Sequence, residues 1–177
     1  MTVRTLIAFA GPAGCGKTTA AKYLVERHGF SRMRFADPMK RMLAAFGLTS
    51  DQLDGGAKEQ PSDILCGQPP RWAMQTLGTE WGRDCIARDL WVEAWRREWG
   101  KIVAGRVVID DCRFQNEAAA VKSEGGFVVR IEGRASPLAS PAHISEQGGI
   151  EAGGRREWGD RKSTRSELQS RQCISYA

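Results

Sequence analysis

The segment that most constrains this chain lies at residues 11–18 and has the sequence Gly-Pro-Ala-Gly-Cys-Gly-Lys-Thr. It matches the pattern G-x-x-x-x-G-K-[ST]. A short apolar run, Val3 to Phe9, precedes it, and apolar residues recur at helical spacing from Thr18 to Arg27. A strand, a glycine-rich turn and a helix in this order are the context in which such a motif binds phosphate. The sequence therefore predicts a nucleotide-binding loop between a first strand and a first helix.

Each residue type in this loop has a chemical reason to be there. Glycines let backbone N–H groups surround a phosphate closely, and the following helix adds its positive N-terminal end. We expect Lys17 to bridge the β- and γ-phosphates of the nucleotide and the Thr18 hydroxyl to ligate Mg²⁺. No base is visible beside Cys15, which is expected to be a small loop residue rather than a nucleophile. The predicted ATP-binding residues are Gly11, Ala13, Gly14, Cys15, Gly16, Lys17, Thr18 and Thr19.

The remaining hydrophobic pattern alternates short strands with helices, which predicts an α/β fold with a parallel sheet flanked by helices. The predicted later elements are a strand at 33–36, a helix beginning at Asp37-Pro38 with Asp37 as N-cap, helical structure over 71–99 interrupted near Gly78 and Gly82, a strand at 106–110, a helix at 114–122 and a strand at 127–131. Residues 1–150 are expected to form one domain, with a helical insert over about 37–100.

Composition excludes several other classes of protein. No apolar run approaches the ~20 residues that span a bilayer, so we expect no membrane association. Five cysteines without a CxxC pair argue against a disulfide scaffold or a cysteine-rich zinc module and favour a reducing, cytoplasmic location. A pI of about 9.1 would permit nucleic-acid binding. A solvated basic surface is favoured over that alternative.

The phosphate loop alone leaves three classes open: a small-molecule kinase, a switch GTPase, and a motor or helicase ATPase. No Asn-Lys-x-Asp motif for guanine is present, which weakens the GTPase hypothesis. A length of 177 residues leaves little room for motor machinery. A small kinase needs only a nucleotide core, an acceptor site and a mobile cover.

Two segments offer groups for a phosphate acceptor. Asp37 follows the second predicted strand and should face the phosphate loop, where it could orient the acceptor or simply cap its helix. Lys40 could meet a phosphate or be solvated. The segment 71–83 combines tryptophans, arginines and hydrogen-bonding side chains, which suit a flat base joined to a dianion. On spacing alone, an amphipathic helix with tryptophan in the core is the stronger explanation.

Five stretches in order resemble the deoxynucleoside monophosphate kinases of tailed bacteriophages. They are the phosphate loop, Phe-Ala-Asp-Pro-Met-Lys at 35–40, Gln-Thr-Leu-Gly-Thr-Glu-Trp-Gly-Arg at 75–83, Asp-Leu-Trp-Val at 89–92 and Val-Ile-Asp-Asp-Cys-Arg-Phe-Gln-Asn-Glu-Ala at 108–118. The resemblance implies a P-loop kinase fold and Mg²⁺-dependent transfer of the ATP γ-phosphate to a deoxynucleoside 5′-monophosphate (dNMP). If the chain is phage-encoded, its location would be the host cytoplasm.

The residues themselves indicate most of the functional positions, and the resemblance adds Arg71, Gln75, Thr76 and Arg83 to the acceptor site. The expected acceptor-binding residues are Asp37, Lys40, Arg71, Gln75, Thr76, Arg83, Asp111 and Arg113. The expected catalytic residues are Lys17, Asp37, Arg113 and Arg134, and the expected Mg²⁺ ligands are Thr18 and Asp111. Either Asp110 or Asp111 could be the carboxylate that matters, and Glu117 could simply favour the first helical turn.

The end of the chain is expected to differ from the core. Residues 131–146 should form an arginine-bearing lid and the His-x-Ser-Glu element at 143–146 that follows it. Residues 151–177 contain 7 apolar members of 27, which predicts an atypical or disordered tail. Open alternatives are a kinase of another small metabolite, such as a dephospho-coenzyme A-like acceptor, and an ATP-binding nucleic-acid partner. Nucleic acid is the weaker expectation, and a homodimer is left open.

Overall fold

A computed structural model describes residues 4–132 of the chain. Its four strands are β1 (Arg4–Ala10), β2 (Ser31–Arg32), β3 (Gly105–Cys112) and β4 (Phe127–Arg130). Its helices are α1 (Lys17–His28), α2 (Asp37–Ala45), α3 (Ser50–Asp54), α4 (Pro70–Gln75), α5 (Leu90–Gly100) and α6 (Gln115–Ser123), with a π-helical segment at Thr76–Ile86 between α4 and α5. Short 3₁₀ turns cover Gly56–Glu59 and Asp63–Leu65.

The four described strands form one parallel sheet in the order β2-β3-β1-β4. β1 therefore lies in the interior of the sheet, between β3 and β4. The carboxyl ends of parallel strands meet at one edge of a sheet, where α/β proteins bind their ligands. The predicted α/β fold is confirmed, and the loop after β1 lies at that edge.

Alternation along β1 divides the core into two layers. Leu6, Ala8 and Ala10 face a large cluster that includes Trp95 and Trp99 of α5. On the opposite face, Phe9 joins a smaller cluster with Ala21 of α1, Phe30 and Val108. A third cluster lies within the helical insert and is formed by Leu43, Leu48, Leu53 and Ala73. The insert thus has a small apolar core of its own.

The sequence prediction for the strand after α1 is wrong. The second strand is Ser31–Arg32 rather than 33–36, although the Met33 N–H still donates to the Val108 carbonyl. The chain leaves the sheet because the next three N–H groups donate to side chains instead of to a strand. That of Arg34 donates to the carboxylate of Asp37, and those of Phe35 and Ala36 donate to the carboxylate of Asp111.

The predicted break in the 71–99 helix is also displaced. Gly78 and Gly82 lie within the π-helical segment, and the chain breaks at residues 87–89 instead. A Cβ at Gly82 would come within 2.6 Å of the Trp91 indole, so this glycine permits close packing between the segment and α5. The helix ends that sequence predicts elsewhere agree well, since α1 ends at Gly29 in the left-handed region (φ 66°).

Candidate active site

The phosphate loop joins β1 to α1 and depends on glycine at three positions. Gly11, Gly14 and Gly16 have φ angles of 144°, 77° and 98°, which side chains with a Cβ adopt only with strain. A Cβ at Gly11 would also lie 2.6 Å from the carbonyl oxygen of Ile131, just after β4. The loop is therefore fixed both by its own turns and by contact with the end of the neighbouring strand.

Lys17 is the first residue of α1 and is buried within the loop. Its ammonium group donates to the carbonyl oxygens of Gly11 (2.8 Å) and Pro12 (2.6 Å) and lies 3.7 Å from the Sγ of Cys15. The α1 N-terminus has no side-chain cap, because Gly16 occupies the N-cap position. Unpaired N–H groups and a cation thus converge on the space enclosed by the loop, which is suited to a polyphosphate.

The end of β3 contains a register shift beside this loop. Ala8 pairs with Ile109 and Ala10 pairs with Cys112, so β3 has one extra residue at the position of its two aspartates. An extra residue of this kind redirects side chains and is common beside active sites. Because of the shift, Ile109 and Cys112 both join the large core cluster.

Asp110 and Asp111 have different partners. The buried Asp110 carboxylate accepts two hydrogen bonds from the Arg32 guanidinium of β2, at 2.9 and 2.5 Å. The half-buried Asp111 carboxylate accepts the backbone N–H groups of Phe35 and Ala36, at 3.1 and 2.9 Å. Asp110 therefore holds two strands together, whereas Asp111 fixes the connection from β2 to α2.

Desolvation raises the pKa of Asp111 above its usual range, although the two N–H donors oppose this effect. A nearby cation, such as a divalent metal or Arg113, would favour the charged form. Burial also raises the pKa of the adjacent Cys112 thiol, which keeps it protonated and chemically inert.

Asp37 does not cap α2 as the sequence suggested. Its carboxylate instead accepts the backbone N–H of Arg34 at 2.8 Å and the Arg34 Nε at 2.6 Å. Arg34 and Lys40 both also donate to the carboxylate of Asp54, at the end of α3. Burial tends to raise the pKa of Asp54, but the hydrogen bonds from Arg34 and Lys40 lower this pKa to about 2. A compact four-charge cluster therefore surrounds the start of α2.

The first half of the 71–83 segment contacts other parts of the insert. Arg71 forms an ion pair with Glu59 of the first 3₁₀ turn, at 2.8 Å. The Thr76 hydroxyl donates to the carbonyl oxygens of Trp72 and Ala73 one turn earlier. Gln75 is half-buried at the end of α4. Each of these predicted acceptor residues thus lies on one short helical stretch.

Trp91 of α5 anchors the second half of the segment. Its indole N–H donates to the Gly78 carbonyl at 2.7 Å, and its ring lies 6.3 Å from the ring of Trp81. Trp91 is buried, whereas Trp81 keeps 41% of its surface exposed. The alternative that places the tryptophans of 71–83 in the core is therefore wrong, because Trp72 and Trp81 are both exposed.

An open groove of about 460 Å³ runs between α2, the π-helical segment and α5. Its lining is mostly apolar and comprises Pro38, Arg41, Met42, Trp81, Leu90, Trp91 and Ala94. Its volume is within the range of small-molecule sites. Pro38 follows Asp37 directly, so the groove begins next to the four-charge cluster.

Arg83 lies at the far end of the segment and contacts α6. Its guanidinium pairs with Glu117 at 2.5 Å and lies 3.9 Å from the centre of the Phe114 ring. Glu117 also accepts the backbone N–H groups of Arg113 (2.7 Å) and Phe114 (3.0 Å). Glu117 therefore caps its own helix and, in addition, binds the insert. Burial raises its pKa to about 7, although Arg83 opposes this shift.

The sequence analysis did not identify Arg34 and Asp54 as members of the charge cluster, and it did not predict the contact between Glu117 and Arg83. No local pattern joins residues 34 and 54, or 83 and 117, because each pair meets only through the packing of the insert. The predicted residue Arg134, the lid at 131–146 beyond Glu132 and the tail at 151–177 lie outside the described residues.

The predicted Mg²⁺ ligands offer oxygen donors of the right type. Within residues 4–132, no group of three or more His, Cys, Asp or Glu side chains comes together around one point. Mg²⁺ bound with a nucleotide usually needs only one or two carboxylates, because phosphates and waters supply the other ligands. Thr18 is exposed at the start of α1, and Asp111 is held by two N–H donors at the neighbouring strand end. The donor set fits the ion.

Comparison with known proteins gives the family. No protein-family model matches the chain. It is 36% identical over 155 residues to a curated protein of Acanthamoeba polyphaga mimivirus, and the match covers 80% of this chain and 80% of the relative. That relative is named "Putative deoxynucleotide monophosphate kinase". The chain belongs to this nucleotide kinase family.

Family membership confirms the expected class of enzyme, a nucleotide kinase. The relative of this kinase comes from a mimivirus, so a bacteriophage source stays a prediction. Among the described residues of the kinase, no helix has the length and apolar character that crossing a membrane requires.

Proposed function

We propose that this kinase transfers the γ-phosphate of Mg·ATP to a deoxynucleoside 5′-monophosphate, giving ADP and the diphosphate. The observation that supports the proposal most is the glycine loop with a buried Lys17 ammonium, in a chain of this kinase family. The loop supplies a polyphosphate site at the carboxyl edge of the sheet. The helical insert supplies cations and an aromatic groove beside that edge.

Charge neutralisation would account for most of the catalysis. Lys17 would exchange its loop carbonyl partners for the β- and γ-phosphate oxygens, and N–H groups of the loop would bind the same phosphates. Thr18 and Asp111 would hold Mg²⁺, which would offset the negative charge of the phosphates. The acceptor phosphate is already an anion, so no strong general base is needed. Arg113 and the lid residue Arg134 would stabilise the transferring phosphoryl group.

The acceptor would lie along the insert. We place its base in the apolar groove, against the exposed face of Trp81, because any nucleic-acid base can stack on an aromatic ring. Its phosphate would meet cations near the start of α2 and at the end of the 71–83 segment. Lys40, Arg71 and Arg83 each have a carboxylate partner here, so binding would require the phosphate to compete with or share these partners.

The test is a coupled ADP-release assay with dAMP, dCMP, dGMP and dTMP as acceptors and dephospho-coenzyme A as a competing class. We expect at least one dNMP to be phosphorylated well above the ATPase background. Lys17→Ala should abolish turnover while the protein stays folded, whereas Lys22→Ala, an exposed α1 lysine paired with Glu26, should leave it unchanged. Absence of transfer to every dNMP by folded, ATP-binding protein would refute the proposal.

A further inference from the structure

Glu117 is a buried carboxylate at the point where the helical insert meets the core of the kinase. One oxygen, Oε2, accepts the backbone N–H groups of Arg113 and Phe114, just after β3. The other oxygen, Oε1, accepts the guanidinium of Arg83, 34 positions earlier in the chain. A single side chain therefore joins the end of β3 to the end of the π-helical segment.

The guanidinium of Arg83 is held from several sides. Nη2 donates to Glu117 at 2.5 Å, Nη1 donates to the Arg88 carbonyl at 3.3 Å, and the Phe114 ring lies against its face. An arginine has five N–H donors. These two hydrogen bonds leave further N–H groups that can meet another anion while the guanidinium stays fixed. A carboxylate and an aromatic face are a typical setting for an arginine that must keep one orientation.

The π-helical geometry makes such a tie useful. π-Helical turns are rare and frequently occur at functional sites. Here the segment extends over Thr76–Ile86, and its side toward α5 is set by the contact between Gly82 and Trp91. Its side toward α6 is set by the Arg83–Glu117 pair. Packing fixes the position of the helix, and the ion pair fixes the direction of its arginine.

We propose that Glu117 is a positioning residue, which holds Arg83 and the backbone of Arg113 at a fixed separation so that both arginines meet the phosphates of the bound dNMP. This inference rests on the proposed function and deepens it, because it names the link between the acceptor site and the site of transfer. The charged groups that face Glu117 are Arg83 from the insert and Asp111 from β3. Its role requires the carboxylate to accept three N–H groups, not to transfer a proton.

The main variant is Glu117→Gln, which keeps the size of the side chain and one acceptor oxygen but presents N–H groups to Arg83. We expect kcat/KM for the dNMP to fall about 10- to 100-fold, with most of the change in KM for the dNMP. The KM for ATP should change less than about twofold, because the phosphate loop is not touched. A merely structural role would instead lower the amount of active enzyme and leave both KM values unchanged.

Glu124→Gln is the matched control. Glu124 follows the same helix and accepts the Trp99 indole N–H at 3.0 Å, away from the acceptor segment. This substitution should reduce stability without altering KM for the dNMP. Phe114→Leu is a second test that keeps the carboxylate, and it should raise KM for the dNMP by removing the ring beneath Arg83. If Glu117→Gln does not fold, this second variant decides the matter.

A double-mutant cycle separates action through Arg83 from an independent effect. If Glu117 acts through Arg83, then Arg83→Gln and the double variant should lose similar amounts of kcat/KM, so that the two effects are far from additive. Additive losses would overturn the inference. An active wild type with an unaffected Glu117→Gln variant would overturn the inference alone. A wild type that neither binds a dNMP by calorimetry nor phosphorylates it would overturn the proposed function as well.

Discussion

Gly82 provides a sharp test of how the helical insert is packed, because a methyl group added there would clash with the side chain of Trp91. A Cβ at this position would lie 2.6 Å from both Cζ2 and Nε1 of the Trp91 indole. Trp91 is 5% exposed, and its N–H is committed to the Gly78 carbonyl. The ring cannot move aside without breaking that hydrogen bond or disturbing the core.

The magnitude of the Gly82→Ala effect follows from three contributions. Overpacking a well-filled site costs about 1–3 kcal/mol, and weakening the Trp91 hydrogen bond costs about 0.5–1.5 kcal/mol. Replacing glycine by alanine in a helix returns about 0.5–1 kcal/mol. The free energy of unfolding should therefore fall by about 0.5–4 kcal/mol. With a urea m-value of ~2 kcal/mol/M, the midpoint should move down by about 0.25–2 M at constant m.

Gly100→Ala is the matched control, because Gly100 ends α5 and a Cβ there would meet open space. We expect this control to be neutral or to stabilise the protein by up to ~1 kcal/mol. Urea unfolding of both variants, followed by tryptophan fluorescence and circular dichroism, makes the comparison. A Gly82→Ala variant at least as stable as Gly100→Ala would refute the close contact between the π-helical segment and α5.

Two further predictions concern the groove and the charge cluster. Trp81→Ala should raise KM for the dNMP about 5- to 100-fold, the loss expected for one stacking contact. Trp72 is also exposed but does not line the groove, so Trp72→Ala should change this KM less than twofold. Equal effects of the two substitutions in steady-state assays would contradict the proposed base site. Because the folded pKa of Asp54 is lowered to about 2 from an ordinary value of 3.8, its ionised form stabilises the protein above about pH 4, and this contribution is lost as pH falls toward 2. Asp54→Asn should therefore make stability, measured by urea unfolding, depend less on pH below about pH 4. Asp63 is exposed, and the control Asp63→Asn should leave this acid dependence unchanged. An equally steep loss of stability in acid for both variants would contradict the ion pairs of Asp54.

Much of the fold could be predicted from local pattern. The glycine loop determines a strand before it and a helix after it, and the strand predicted at 106–110 matches the interior of β3. The position of the second strand could not be predicted in this way, because it depends on Asp111. That carboxylate, 75 residues away from Ala36, takes the N–H groups that would otherwise extend the strand.

The candidate site also has a part that local sequence predicts and a part that depends on packing. The phosphate loop is a continuous motif, so its residues could be found one by one. The acceptor residues are separate along the chain, and their partners depend on how the insert folds onto the core. Asp37 contacts Arg34 rather than its own helix, and Arg83 contacts Glu117. The sequence pointed to Asp37 and Arg83 as site residues, but it contained no signal for Arg34 or for these pairs.

Product analysis with γ-³²P-labelled ATP tests the central claim most directly. The kinase, Mg²⁺, labelled ATP and each dNMP would be incubated, and the products separated by chromatography. We expect label in the β-phosphate of a deoxynucleoside diphosphate, formed at a rate that depends on the dNMP, and no such label with Lys17→Ala. Label found only in inorganic phosphate, at a rate independent of every dNMP, would contradict the central claim.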